Sequence, residues 1–174
     1  VQDVSLIKED WKHERELKGQ NARIEAYDTA HLSGKDAIGV MTVLEGGIPV
    51  KKEYRTFRIR GLGGKSLNDD IASLKEILSR RFGHPEWPYP RAIIVDGGKT
   101  HKKTAEEVIK ELGLGIPVAA VVKDEKHRPR EIIGSLRAGV ADADAVLANA
   151  EAHRFSIGRH REARRRTMRR QAGA

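Results

Sequence analysis

Arg91-Ala92-Ile93-Ile94-Val95-Asp96-Gly97-Gly98-Lys99 is the run that decides how this chain folds. Three consecutive β-branched apolar residues, with turn signals on both sides, form the pattern of a strand buried on both faces at the centre of a sheet. The strand ends in a carboxylate, Asp96. Two glycines follow at once and let the backbone turn sharply and approach a ligand with no Cβ in the way. A charge at the lip of an apolar sheet is costly unless something pairs with it, so Asp96 either caps the helix that opens near Thr100 or serves a site.

Upstream, Arg23 to Asp28 alternates with period two, Ile24, Ala26 and Asp28 on one side and Glu25 and Tyr27 on the other, and this first strand also ends in Asp. Ala37 to Leu44 is a second strand. Glu45-Gly46-Gly47 turns it into a third, Ile48 to Ile59, and tight turns make the three an antiparallel meander. Gly61-Leu62-Gly63-Gly64-Lys65-Ser66 fails as a phosphate loop, because a Walker pattern needs glycine where Ile59 stands and a dinucleotide fingerprint needs one at Ser66. Asn68-Asp69-Asp70 opens a helix with Asn68 as the expected N-cap, and Ile71, Leu74, Leu78 and Phe82 follow at helical spacing. Acids in a first turn are ordinary complements to the helix dipole, so Asp70 has a structural reading as well as a functional one.

Downstream, Thr100 to Leu112 reads as a second helix, and Ile116 to Val122 as another interior strand beside the Asp96 strand, joined by a right-handed crossover. Lys123-Asp124-Glu125-Lys126-His127-Arg128 then forms a charged loop at the edge that presents Asp96, and Arg130 to Ile133 one side of a small hairpin. From Asp142 to Arg170 the spacing predicts a long helix, with Val146, Ala150, His153, Ile157 and His160 on one stripe and a kink or break at Gly158. A histidine on such a stripe is ordinarily a satisfied core residue. Past Gly158, Arg159, Arg161, Arg164, Arg165, Arg166, Arg169 and Arg170 stand against one acid, Glu162, a composition that suits a solvated tail or a phosphate backbone.

A length of 174 residues fits one core, with 1–20 a charged lead-in segment or linker remnant anchored by Trp11 and 21–170 the folded domain with its basic terminal helix. Starting at Val1, the chain is expected to be a piece of something longer. No run is apolar enough for a membrane span, and nothing at the start resembles a signal peptide. The lack of cysteine removes disulfides and thiolate zinc sites and fits a reducing cytoplasm. The net charge of +8 favours a polyanionic partner.

Three antiparallel strands, a helix, a strand, a helix, a strand and a terminal helix form the ribonuclease-H-like order, an α/β mixed sheet with helices on both faces. That order brings Asp28 and Asp96 to one sheet edge and lets the first and last helices carry Asp70 and His153 over it. Acids so crowded repel unless a cation lies between them, and hard divalent ions take oxygen ligands. Two such ions about 3.5–4 Å apart activate water and stabilise the leaving oxygen of a phosphodiester.

Ala26-Tyr27-Asp28-Thr29-Ala30-His31, Glu53-Tyr54-Arg55-Thr56-Phe57, Asn68-Asp69-Asp70, Ile94-Val95-Asp96-Gly97-Gly98-Lys99, Lys123 to Arg128 and Glu151-Ala152-His153-Arg154-Phe155 resemble, in order, the C-terminal endonuclease domain of UvrC, the incision subunit of bacterial nucleotide excision repair. The resemblance implies a ribonuclease-H-like, divalent-metal-dependent endonuclease that cuts damaged double-stranded DNA on the 5′ side of a lesion, with Mg²⁺ or Mn²⁺ as cofactor and UvrB and the UvrA-loaded complex as partners. It implies Asp28, Asp70, Asp96 and His153 as active-site residues. Asp28 and Asp96 would be direct ligands, and Asp70 a further ligand or an orienter of water. His153 stands where this architecture often has a fourth carboxylate, as base, proton shuttle or ligand.

Lys99, Lys123, Lys126, His127, Arg128, Arg154, Arg161, Arg164 and Arg165 are the residues expected to hold DNA phosphates, although solvated surface explains them too. The family's 3′-incising module, its UvrB-binding segment and its helix-hairpin-helix repeats are missing, and the stretch between Ile133 and Asp142 looks shorter than usual. A non-catalytic nucleic-acid-binding module of the same fold is the competing reading. A nuclease acting on RNA in hybrids matches these blocks poorly.

Overall fold

The computed structural model describes residues 22–31, 37–61, 69–126, 128–136 and 140–173. The Ile93-Ile94-Val95 run forms β5 (Ala92–Asp96), which lies inside a mixed sheet between β1 (Arg23–His31) and β6 (Val118–Lys123), parallel to both. On its other side β1 pairs antiparallel with β2 (Ala37–Glu45), whose far edge carries β3 (Ile48–Pro49) and β4 (Arg55–Arg58). β7 (Pro129–Ile133) pairs antiparallel with β6 and ends the sheet. Helices α1 (Asp70–Phe82) and α2 (Lys99–Glu111) cover one face and α3 (Asp142–Ala172) crosses the other. This is the expected ribonuclease-H-like arrangement.

Alternation along the strands decides what each face receives. Tyr27, Ile93, Val95, Val118 and Ala120 pack toward α1 and α2, whereas Ile24, Ala26, Ala92, Ile94, Ala119 and Val121 pack toward α3. By the same parity Asp28, just past the last β1 residue paired with β5, and Asp96 and Lys123, which end β5 and β6, belong to the α3 face.

The structure departs from the sequence reading at several places. The third strand is not continuous: Leu44 pairs with Pro49 but Met41 pairs with Arg55, three residues beyond where an unbroken hairpin would put its partner. The surplus is taken up in a 3₁₀ turn at Lys51–Glu53, just after Pro49, which has no N–H to continue a ladder. The α1 cap is Asp69, whose carboxylate accepts the Ala72 N–H at 3.0 Å, rather than Asn68, which lies outside the described residues. Helix α3 runs unbroken through Gly158. Its buried stripe is Ala145, Ala148, Asn149, Ala152 and Ser156 rather than Val146, Ala150, His153, Ile157 and His160; the small side chains let the helix settle close to the sheet, and Ile157 is left exposed. Trp11, Lys65 and His127 also lie outside the described residues.

Both faces of β1 are covered, so Glu25, which alternation alone would allow to reach solvent, is fully buried. Arg81 of α1 meets it with a two-pronged contact of 2.7 and 2.8 Å, Arg23 donates to it at 3.0 Å, and the Tyr27 hydroxyl at 2.6 Å. Arg23 in turn pairs with Glu53 and Glu45. This polar knot fastens β1 to α1 and, through the Pro88 carbonyl that accepts from Arg81, to the proline-rich connection into β5.

Candidate metal centre

At the C-terminal ends of β1 and β5, one carboxylate oxygen each from Asp28 and Asp96 and one imidazole nitrogen of His153 lie within 4.8 Å of one another. The two acids are placed by strand register: Ala26 pairs with Ile94 and Tyr27 with Val95, so Asp28 and Asp96 follow one step beyond the last paired residues. His153 reaches them because it flanks the buried alanine stripe of α3, which leaves its ring half exposed at the sheet edge with Nδ1 3.3 Å from Asp28 Oδ2.

Asp28 Oδ1 accepts the Thr29 backbone N–H at 2.8 Å, and only 10% of the Asp28 side chain is exposed. Burial above all, and then the Asp96 charge, push the Asp28 carboxyl above the ordinary carboxylate range, against the Thr29 N–H, His153 and Lys123, which pull it down. The Lys123 ammonium lies 2.8 Å from Asp96 Oδ1, with 15% of its side chain exposed. Asp70 stands apart from this trio. Its Oδ1 is 2.6 Å from His31 Nε2 and 3.4 Å from the Thr29 hydroxyl, which joins it to the end of β1 next to Asp28.

The family profile described as UvrC RNAse H endonuclease domain matches residues 12–166. The chain belongs to that family. UvrABC system protein C of Caldicellulosiruptor saccharolyticus is 37% identical over 154 residues, covering 84% of this chain and 26% of that protein. The same protein of Clostridium perfringens is 37% identical over 167 residues, covering 82% and 26%. The chain thus spans about a quarter of the length of these UvrC relatives. Among solved structures, the catalytic domain of human endonuclease V superposes with a TM-score of 0.52 at 12% identity, covering 92% of this chain and 96% of that one. Ciona intestinalis endonuclease V, in complex with inosine-containing DNA, gives 0.51 at 10%, covering 91% and 99%. At such identities the likeness concerns the fold.

Of the cations expected on phosphate, Lys99 opens α2 just after the Asp96-Gly97-Gly98 turn, and Lys126 is exposed in the loop after β6. Arg128 in that loop is exposed and paired with Asp124, which it contacts through its backbone N–H at 2.8 Å and its Nε at 2.9 Å. Arg154 grips Glu151 at 2.8 and 3.0 Å. Arg161, Arg164 and Arg165 are exposed on the distal half of α3. Two features of this UvrC domain had no clear signal in the sequence: the Lys123–Asp96 pair, and a hydrogen bond of 2.6 Å from Tyr54 to Glu151, two residues before His153.

Proposed function

We propose that this domain is the divalent-metal-dependent DNA endonuclease of a UvrABC excision system, hydrolysing a phosphodiester on the 5′ side of a lesion in duplex DNA. Acting in the cytoplasm, it would be brought to its substrate by UvrB loaded by UvrA. The observation that carries the reading is the convergence of Asp28, Asp96 and His153 within 4.8 Å. Two carboxylates and an imidazole are a donor set suited to Mg²⁺ or Mn²⁺, and the shared 4.8 Å span keeps both acids within reach of one divalent ion.

Such an ion supplies Lewis acidity at the phosphoryl oxygen and a lowered pKa for attacking water. Asp28 and Asp96 would hold it, with the Thr29 N–H fixing Asp28. With Nδ1 turned to Asp28, His153 keeps Nε2 to accept the proton of the nucleophile. Asp70, linked to Thr29 and His31, orients the approach from the α1 side. Exposed cations at the same edge, Lys99 and Lys126, and the arginines of distal α3 hold the DNA backbone.

The deciding experiment is nicking of supercoiled plasmid with Mg²⁺ or Mn²⁺. Asp28→Ala and Asp96→Ala should abolish it, and the exposed control Lys110→Ala should not. The acid substitutions are then placed in the full-length protein with UvrA and UvrB on a lesion-bearing duplex, where undiminished 5′ incision would refute the assignment.

A further inference from the structure

Lys123 ends β6 two residues beyond Val121, which pairs with Asp96, and its side chain reaches over the sheet edge to Asp96 Oδ1. A lysine this far from solvent is seldom found without a partner. Its partner is one of the two acids whose mutual repulsion defines the seam, and its charge is felt at Asp28 as well. Crowded carboxylates call for a cation, and here the chain provides one itself. Lys123 therefore sits on the oxygen that a divalent ion needs. The ammonium is a compact charge on a flexible four-carbon stem, able to let go of one anion and take up another.

We propose that Lys123 is a resident counter-ion of Asp96 that competes with the divalent metal, so that metal binding and release of the ammonium are a single exchange. The proposal rests on the metal-site reading above. It makes Lys123 a positioning residue that sets metal affinity: it keeps the two acids together when no ion is bound, and on release it presents its charge at the edge where a phosphate would lie. Lys126, exposed in the following loop, has no such link to the acids.

The test is Mn²⁺ titration calorimetry on the DNA-free chain, with melting curves alongside. Lys123→Met should bind Mn²⁺ roughly tenfold tighter than wild type or more, because a competing unit charge has gone from a screened but partly buried site. Lys123→Arg keeps the cation and should stay within about threefold, and the distant Lys110→Met within about twofold. Without metal Lys123→Met should melt below wild type, and saturating Mn²⁺ should close the gap; a residue that merely held the end of β6 would leave the gap open. Wild-type binding that is not strengthened in Lys123→Met overturns the exchange and leaves the metal site standing. No Mn²⁺ binding in either protein removes the site and the exchange together, whereas binding seen in Lys123→Met alone supports both.

Discussion

Tyr54 donates a 2.6 Å hydrogen bond to Glu151 and so ties the outer edge of the sheet to the turn of α3 that carries His153. The Tyr54 ring also meets Phe155 edge-on, with centroids 5.2 Å apart, and Arg154 grips the same Glu151 carboxylate. The 3₁₀ turn that interrupts the third strand is what delivers Tyr54 to this position. Burial and the Glu151 carboxylate hold the phenol well above its ordinary range, so it remains a donor at any working pH.

Tyr54→Phe keeps the ring contact and removes the hydrogen bond. Urea unfolding should show a loss of about 1 kcal/mol, and nicking should lose kcat with KM little changed, because His153 is less firmly placed. An unchanged kcat would show that the Tyr54 anchor has no bearing on His153.

Asp28 supplies a test in pH. Its carboxyl is raised in the fold by burial and by Asp96, so the folded state holds this proton more tightly than the unfolded chain. The group therefore favours folding at low pH and costs stability increasingly as pH rises through the raised value. Asp28→Asn, which retains an oxygen for the Thr29 N–H, should melt above wild type near pH ~7 without metal, the difference shrinking toward pH ~4. A difference that grows on acidification would mean the sign is wrong.

The Glu25 knot should be intolerant of partial removal. Arg81→Met leaves a buried carboxylate short of its best partner and is expected to cost about 3–5 kcal/mol in denaturant unfolding, whereas breaking a solvent-screened surface ion pair such as Arg159–Glu162 should leave the unfolding curve nearly unmoved. Equal losses at the two places would mean that the knot is looser than its distances indicate.

Gly97 has φ +128°, and a Cβ there would lie 2.5 Å from His101 Nδ1. Gly97→Ala should therefore destabilise by about 1–3 kcal/mol and displace Asp96, read as weaker Mn²⁺ binding. Gly98→Ala, whose Cβ meets nothing within 4 Å, should be mild by comparison.

Replacing Arg161, Arg164 and Arg165 together with Gln should weaken DNA binding alike on damaged and undamaged duplex. The slope of log affinity against log salt should flatten by about 0.9 for each phosphate that the protein no longer neutralises. An unaltered slope would assign those arginines to solvent.

The centre of the sheet and the meeting of Asp28 with Asp96 were legible because each rests on strand parity, which a run such as Ile93-Ile94-Val95 makes unambiguous. His153 was legible as a residue but not by its helical stripe: the larger apolar side chains pointed to Val146 and Ile157, while close packing favoured Ala145, Ala148 and Ala152. Glu25 escaped notice because alternation reports which residues share a face and says nothing about whether a helix covers it. Lys123 was singled out as a phosphate contact, but its pairing with Asp96 escaped, as did that of Tyr54 with Glu151, because these partners lie across the sheet or the fold, where only coordinates reveal a pairing.

The register of β1 on β5 places Asp28 beside Asp96, and the backbone ladder sets the strand spacing at about 4.8 Å. No rotamer change can part the roots of those side chains. The same alternation that sends Ile24, Ala26, Ala92 and Ile94 under α3 also aims both acids, so a one-residue slip that buried the wrong apolar set would turn them to the opposite side of the sheet. Selection for a well-filled interior and selection for paired carboxylates therefore act here on one inherited trait, and mutations at this seam cannot trade one against the other.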